Sequence, residues 1–411
     1  MRISIALTAV LLVGAMAAGE AQAGEAEDAH IAHIAQNIPA GFWGWTFGGE
    51  TLAERMAHYH ATAVSIAVID NYKIVWARGF GVVSPGSKIE ITDKTLFQAG
   101  SISKMVAAVG ILRLIDEHKF SLDDKVNEKL LSWKLPENDF TRQSPVTIRL
   151  LLSHSADTTV HGFPGYERDA YHPTLIQVLD GKPPVNTIPI RVEAVPGSRW
   201  QYSGGGYLIL QQLAIDTSHQ TFPDFMHERV LVPAGMNDST YEQPLPDELH
   251  ARAACGVQKT GIAVKGCWHV YPEMAAAGLW TTPSDLARFA IELMRARSAL
   301  SNTLLSPDMA RQMFTVHGYA SENYMNQGLG VFVDGPRFEH GGDDAGFLAI
   351  VVGYSSGKGA VIMCNVDGSL GLLDDIARAI AREYGWADTD PMVPGYTGTA
   401  LRALNALGLF Y

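Results

Sequence analysis

Cysteine is scarce in this chain, with three residues in 411. That is too few for a disulfide scaffold, and no Cys/His spacing resembles a zinc site. His227-Glu228 lacks the second histidine that a metalloprotease helix needs. Charge is also sparse, at 18% of residues, and cations are the minority, 31 against 43 acidic residues. The net charge of −12 argues against a general nucleic-acid binder and against an anionic membrane surface. No apolar run reaches the ~20 residues needed to cross a bilayer. Internal repeats and low-complexity tracts are absent as well. What remains is a globular chain, 47% hydrophobic, long enough for one large domain or two interleaved subdomains.

The first residues read as a secretory signal. Arg2 is a minimal positive region, Ile3 to Ala17 is apolar, and Ala21-Gln22-Ala23 is a small-residue cleavage site. The expected mature chain starts near Gly24 and is exported, periplasmic or secreted, with no membrane span. In an oxidising compartment Cys255 and Cys267, on either side of a polar loop with Lys259-Thr260-Gly261, are candidates for a disulfide. Cys364 sits in an apolar run and reads as an inert core residue.

Strand patterns fall at both ends: Val64 to Ile69 and Ile74 to Gly81 around a turn at Asp70-Asn71, then Gly328 to Val333, Phe347 to Gly353 and Ala360 to Val366. Helical patterns cover Leu52 to Tyr59, Ser101 to Glu117, Ser284 to Arg297 and Leu372 to Tyr384. Between about 118 and 270 the chain is mostly helical and loop-like. This predicts an α+β domain over residues 24–385, its sheet built from both termini around a helical insertion, with a tail over 386–411.

Chemistry enters at Ser101-Ile102-Ser103-Lys104. Positions three apart share a helix face, so the hydroxyl and the amine point the same way. A serine is a poor nucleophile until a neighbouring base takes its proton. Lysine can be that base if burial lowers its pKa, and the apolar stretch Met105 to Leu114 supplies burial. Ser355-Ser356-Gly357-Lys358 spells the same pattern, but it lies in a glycine-rich turn and reads as a solvated hairpin tip.

Two further stretches stand out. In Pro196 to Tyr207, Tyr202 sits beside Ser203-Gly204-Gly205-Gly206, at a loop tip ahead of an apolar helix from Leu208 to Ala214. Flanked by cations, its phenol can titrate low enough to act as a base or proton relay; the alternative is a core tyrosine beside a tight turn. In Phe338 to Phe347, the glycines after His340 let a ligand lie along a strand edge. An amide there, paired with that of Ser101, can form an oxyanion hole. His340 can orient substrate or protonate a leaving group near neutral pH, or be a hairpin histidine without a role.

Taken in order, Ser101-x-x-Lys104, Tyr202-Ser203-Gly204 and His340-Gly341-Gly342 resemble the active-site elements of the serine β-lactamase and penicillin-binding protein superfamily. The match is to its class C-like branch, with family VIII esterases, D-aminopeptidases and DD-carboxypeptidases. Thr147 to Ser155, Pro196 to Ser203 and Ala277 to Ala287 agree with that branch, over roughly residues 50 to 385. The resemblance implies an antiparallel sheet flanked by helices, a helical subdomain, and a site in the cleft between them. It implies acylation of Ser101, with proton transfer shared by Lys104 and Tyr202. It places the oxyanion on the amides of Ser101 and Asp343, and His340 and Gly342 along the strand that binds substrate. No metal or organic cofactor is implied; the partner is a small-molecule or peptide substrate. Two departures bear on substrate. Gly204 stands where an asparagine amide is common, and His340-Gly341-Gly342 stands where β-lactamases carry Lys-Thr-Gly. Both favour an esterase or peptidase over a β-lactamase and leave D-alanyl peptide cleavage open; the alternative is a β-lactamase or DD-carboxypeptidase, and the reading from another class is a penicillin-binding sensor without turnover.

Overall fold

The computed structural model describes residues 27–42, 45–319 and 326–386; the signal-like segment and the tail from 387 lie outside them. Its centre is an antiparallel sheet whose strands come from both ends of the chain. The first hairpin joins β1 (Ala63–Asp70) to β2 (Lys73–Gly81). Asn71 and Tyr72 take φ of 50° and 58°, the paired left-handed residues of a two-residue turn that follows the strand twist. The later strands are β3 (Gly318–Tyr319), β4 (Asn326–Gln327), β5 (Phe332–Asp334), β6 (Arg337–Asp344), β7 (Phe347–Tyr354) and β8 (Gly359–Cys364). The sheet order is β2-β1-β8-β7-β6-β5-β4-β3, and β1 pairs with β8 from Val64↔Cys364 to Ile69↔Gly359. The expected union of the two termini is therefore observed. The run from Gly328 is not one strand: Gly330 has φ +75° and Gly328 N–H donates to Val331 O, so a turn delays the strand to Phe332. The second Ser-x-x-Lys lies, as expected, in the turn between β7 and β8, where Tyr354 N–H donates to Lys358 O.

Alternation along the strands feeds two cores. Val64, Ile66, Val68, Leu348, Ile350, Val352 and Ile362 face one side, packed with Leu372, Leu373 and Ile376 of helix Leu370–Glu383. Ala67, Ile69, Ala349, Val351, Val361 and Met363 face the other. That side is covered by α1 (Ile102–Asp116) and by helix Pro283–Arg297, which is capped by Thr282 with proline at its first position. Each fully buried Val or Ile contributes roughly 1.5–3 kcal/mol of transfer free energy. Every residue of α1 from Ile102 to Leu112 is buried, because the helix runs between the sheet and the helical subdomain.

Facing α1 is α2 (Gly204–Ser218). Here the structure corrects the sequence reading, because Gly204, Gly205 and Gly206 form the first turn of the helix instead of preceding it. Ser203 caps that turn, its Oγ accepting from Gly206 N–H at 3.1 Å. Gly205 is required for space, since a Cβ would lie 2.3 Å from Thr159 O. Cys255 and Cys267 are disulfide-bonded, and Cys364 is buried with its thiol pushed up to about 12 by that burial.

At the far end of α2, Asp216 ties the helix to the loop after residue 130. Its carboxylate accepts from Leu131 N–H (2.7 Å), Ser132 N–H (3.2 Å), Ser132 Oγ (2.5 Å) and Gln212 Nε2 (2.9 Å). Burial opposes ionisation, but these donors together hold the carboxyl below its ordinary pKa. Asp216→Ala should cost about 1–3 kcal/mol in urea unfolding at neutral pH, because it removes the acceptor shared by the Leu131 and Ser132 amides, the Ser132 hydroxyl and the buried Gln212 amide. The lowered pKa makes this a contribution present above the unfolded carboxylate pKa and lost as pH falls through the folded one. The wild type and variant should therefore converge in stability in acid.

Candidate active site

Ser101 is the N-cap of α1, reached through Gly100, which turns the chain with φ +50°. Its side chain makes no capping bond, and its Oγ lies instead 2.9 Å from Lys104 Nζ. One helical turn supplies that contact, as the spacing predicts. Lys104 Nζ also donates to Ala276 O at 2.9 Å, which orients the amine from the opposite side. The lysine is 1% exposed. Burial drives its pKa from 10.5 to about 7, against an opposing pull from the charge of Asp344. That difference corresponds to on the order of 5 kcal/mol in favour of the free amine. A free amine at this distance can take the serine proton.

Tyr202 stands over this pair, with Lys104 Nζ 5.0 Å from its ring centroid. Its phenol is buried, with the Ser101 side chain as its polar neighbour. Burial pushes its pKa up, and Ser101 is the neighbour that pulls it down. Tyr202 therefore stays a protonated phenol at neutral pH, contrary to the expectation that cations make it titrate low. The neighbouring cation is itself a buried amine near neutrality. Of the two groups, Lys104 is the one whose free form is accessible near neutral pH.

His154 holds Tyr202 in place and was not singled out from the sequence, although it lies within Thr147 to Ser155. Its ring stacks 4.3 Å from that of Tyr202 and 5.3 Å from that of Tyr207. Its Nδ1 accepts from Ser203 N–H at 3.1 Å. Burial first, then Lys104 and His340, keep this histidine neutral. On the other side, His161 Nδ1 donates to Tyr202 O at 2.5 Å.

The third element is β6. A Cβ on Gly342 would lie 1.9 Å from Ala99 O and 2.9 Å from Ser101 N, and one on Gly100 would lie 2.3 Å from Asp343 N. These two glycines let the Ser101 turn and the strand meet, which brings the amides of Ser101 and Asp343 side by side. His340 is 1% exposed, and its Nδ1 donates to Gly341 O at 2.6 Å. Burial lowers its pKa to about 3. The structure thus places His340 at the site but corrects its role. It is neutral at pH 7, Nε2 carries a lone pair, and it cannot be the proton donor near neutral pH. At the other departure, a Cβ on Gly204 would lie 2.7 Å from Phe163 Cε2, so a ring fills the space of an asparagine amide.

Gly353-Tyr354-Ser355-Ser356-Gly357 spells the Gly-x-Ser-x-Gly of nucleophile-elbow hydrolases. It occupies the β7–β8 hairpin and not a strand-to-helix turn, so it carries no nucleophile.

A family model described as Beta-lactamase matches residues 50–384. Penicillin-binding protein 4 of Amycolatopsis lactamdurans is 25% identical over 330 residues, covering 74% of this chain and 81% of that protein. The D-alanyl-D-alanine-carboxypeptidase/endopeptidase AmpH of Escherichia coli is 22% identical over 233 residues, 56% of each chain. This chain therefore spans little more than half the length of that relative. Among solved structures, the octameric penicillin-binding protein homologue from Pyrococcus abyssi superposes with a TM-score of 0.68 at 22% identity, covering 85% of this chain and 78% of the other.

Two outcomes follow from the geometry. With Lys104 near 7, kcat/KM should rise with pH through about 7 as the amine becomes free, and His340→Gln should leave that limb in place because His340 is already neutral. Gly342→Ala should slow acylation by about 10²–10³-fold in single-turnover kinetics by separating the two amides.

Proposed function

We propose that this chain, which belongs to the Beta-lactamase family, hydrolyses an ester or amide bond through an acyl-enzyme on Ser101. The observation that carries this reading is the 2.9 Å contact between Ser101 Oγ and a buried lysine poised near neutrality. In acylation Ser101 Oγ bonds to the substrate carbonyl carbon, and its proton passes to Lys104 Nζ. The carbonyl π electrons move onto oxygen, which the amides of Ser101 and Asp343 receive. Collapse of the tetrahedral species expels the leaving group, which takes a proton from Lys104 through the Tyr202 phenol. In deacylation the same groups run the sequence with water as nucleophile.

Substrate preference follows from two positions. A substrate carboxylate would meet a neutral histidine at 340, where Lys-Thr-Gly enzymes offer a permanent cation. Beside Gly204, Phe163 offers an apolar edge where an amide would bind a substrate carbonyl. Both favour an esterase or peptidase of relaxed acyl preference over a dedicated β-lactamase. The kinship with a D-alanyl-D-alanine carboxypeptidase supports a peptide substrate as the second reading. Export rests on the N-terminal segment and on the Cys255–Cys267 bond, which suits an oxidising compartment.

The mature protein should turn over a short-chain p-nitrophenyl ester, and Ser101→Ala should lose at least about a thousand-fold while keeping its melting temperature. Retained turnover in the variant would refute the assignment. Intact-mass measurement after incubation with penicillin separates the readings. A lasting adduct on the wild type alone points to a penicillin-binding peptidase, and an unmodified protein beside intact drug supports the esterase.

A further inference from the structure

One polar pair beside Tyr202 takes no part in the mechanism. Helix α2 starts against the loop from Asp157 to Phe163, whose carbonyls receive its first amides. Gly204 N–H donates to His161 O at 3.2 Å and Gly205 N–H to Val160 O at 2.9 Å. Val160 holds φ +63°, a left-handed conformation that a β-branched residue keeps only where its surroundings impose it. Asp157, at φ +57°, is gripped by the Arg199 guanidinium at 2.5 and 2.8 Å. This strained loop delivers the His161 ring to the backbone of Tyr202.

The hydrogen bonds of that ring decide how its neighbour is turned. His161 Nδ1 lies 2.5 Å from Tyr202 O. A carbonyl can only accept, so Nδ1 carries the ring proton and Nε2 presents a lone pair. Gln201 meets that lone pair with its side-chain nitrogen, 3.1 Å away. Turned over, the amide would set its oxygen against the lone pair, two acceptors with no proton between them. The Gln201 Oε1 is therefore the free end of the amide. It accepts no hydrogen bond among the described residues, and Gln201 is only half-buried, so the oxygen is open to a bound molecule. The backbone is fixed as well, because Gln201 N–H donates to His154 O at 2.8 Å.

His161 and Phe163 flank Gly204, where an asparagine amide would bind a substrate carbonyl. Gly204 supplies no such donor, and the Phe163 ring fills the space beside it. An acceptor oxygen next to an apolar edge selects a hydrogen-bond donor from the substrate. We propose that Gln201, held by His161, is a specificity-determining residue whose Oε1 accepts from an N–H on the acyl group of the substrate. Amino-acyl or peptidyl esters and amides are then preferred over plain alkanoyl ones. This rests on reading Ser101 as the nucleophile, and it narrows the relaxed acyl preference of the site.

Two p-nitrophenyl esters that differ in one group test it: the N-acetylglycinate, with an N–H, and the levulinate, with a methylene in its place. The readout is the ratio of their kcat/KM values, N–H over methylene, so that intrinsic acyl reactivity cancels between enzyme variants. In Gln201→Met, similar in shape but without the acceptor, the ratio should fall about three- to tenfold, the range of one neutral hydrogen bond. In His161→Phe it should fall as well, because the amide is no longer held. Melting temperatures show which variants fold. A ratio that stays at the wild-type value in either folded variant, or rises, overturns the proposal. Should Gln201→Met not fold, Gln201→Ser decides on the same ratio. Turnover of both esters that survives Ser101→Ala, or that the wild type lacks, would instead overturn the parent reading.

Discussion

Everything in this site depends on keeping one amine out of water. Lys104 is a strong base only in solvent, and between the sheet and α2 its pKa falls to about 7. The architecture achieves this by enclosing α1 on all sides, so that a residue one turn into the helix is buried whatever face it occupies. Ser101, at the cap, stays partly exposed where a substrate can reach it. The two ends of a single helical turn thus sit in different dielectric environments, and that difference makes the pair reactive.

Close backbone approach is the second requirement. Gly100 and Gly342 bring the nucleophile turn against β6, and Gly205 brings α2 against Thr159. With side chains at these points the Ser101 turn would part from β6, and α2 from the Thr159 backbone. The sheet itself is assembled from a hairpin near residue 70 and strands after residue 326, which fixes β6 relative to α1. The polar groups of the helical subdomain then arrive on a frame already set. His154 is one of these, wedged behind Tyr202 by the Ser203 amide.

Much of this was legible in the chain. Strand alternation, the Asp70-Asn71 turn, the helix after Ser101 and the union of the two termini all follow from local pattern. Ser101 and Lys104 meet because helical spacing dictates it. The motifs point to Tyr202 and His340 but not to their protonation, because a sequence shows neighbours in the chain and not depth of burial. The functional reading of each needs a pKa near neutrality, whereas burial pushes Tyr202 up and His340 down to about 3.

The most direct test is a lysine ε-carbon NMR titration of the folded protein, with Lys104 assigned through its loss in Lys104→Arg. The account predicts one ε-resonance with a midpoint near pH 7, distinct from the ordinary lysines. A Lys104 midpoint near 10.5 would mean that the amine is solvated and charged at rest, and would contradict its role as base.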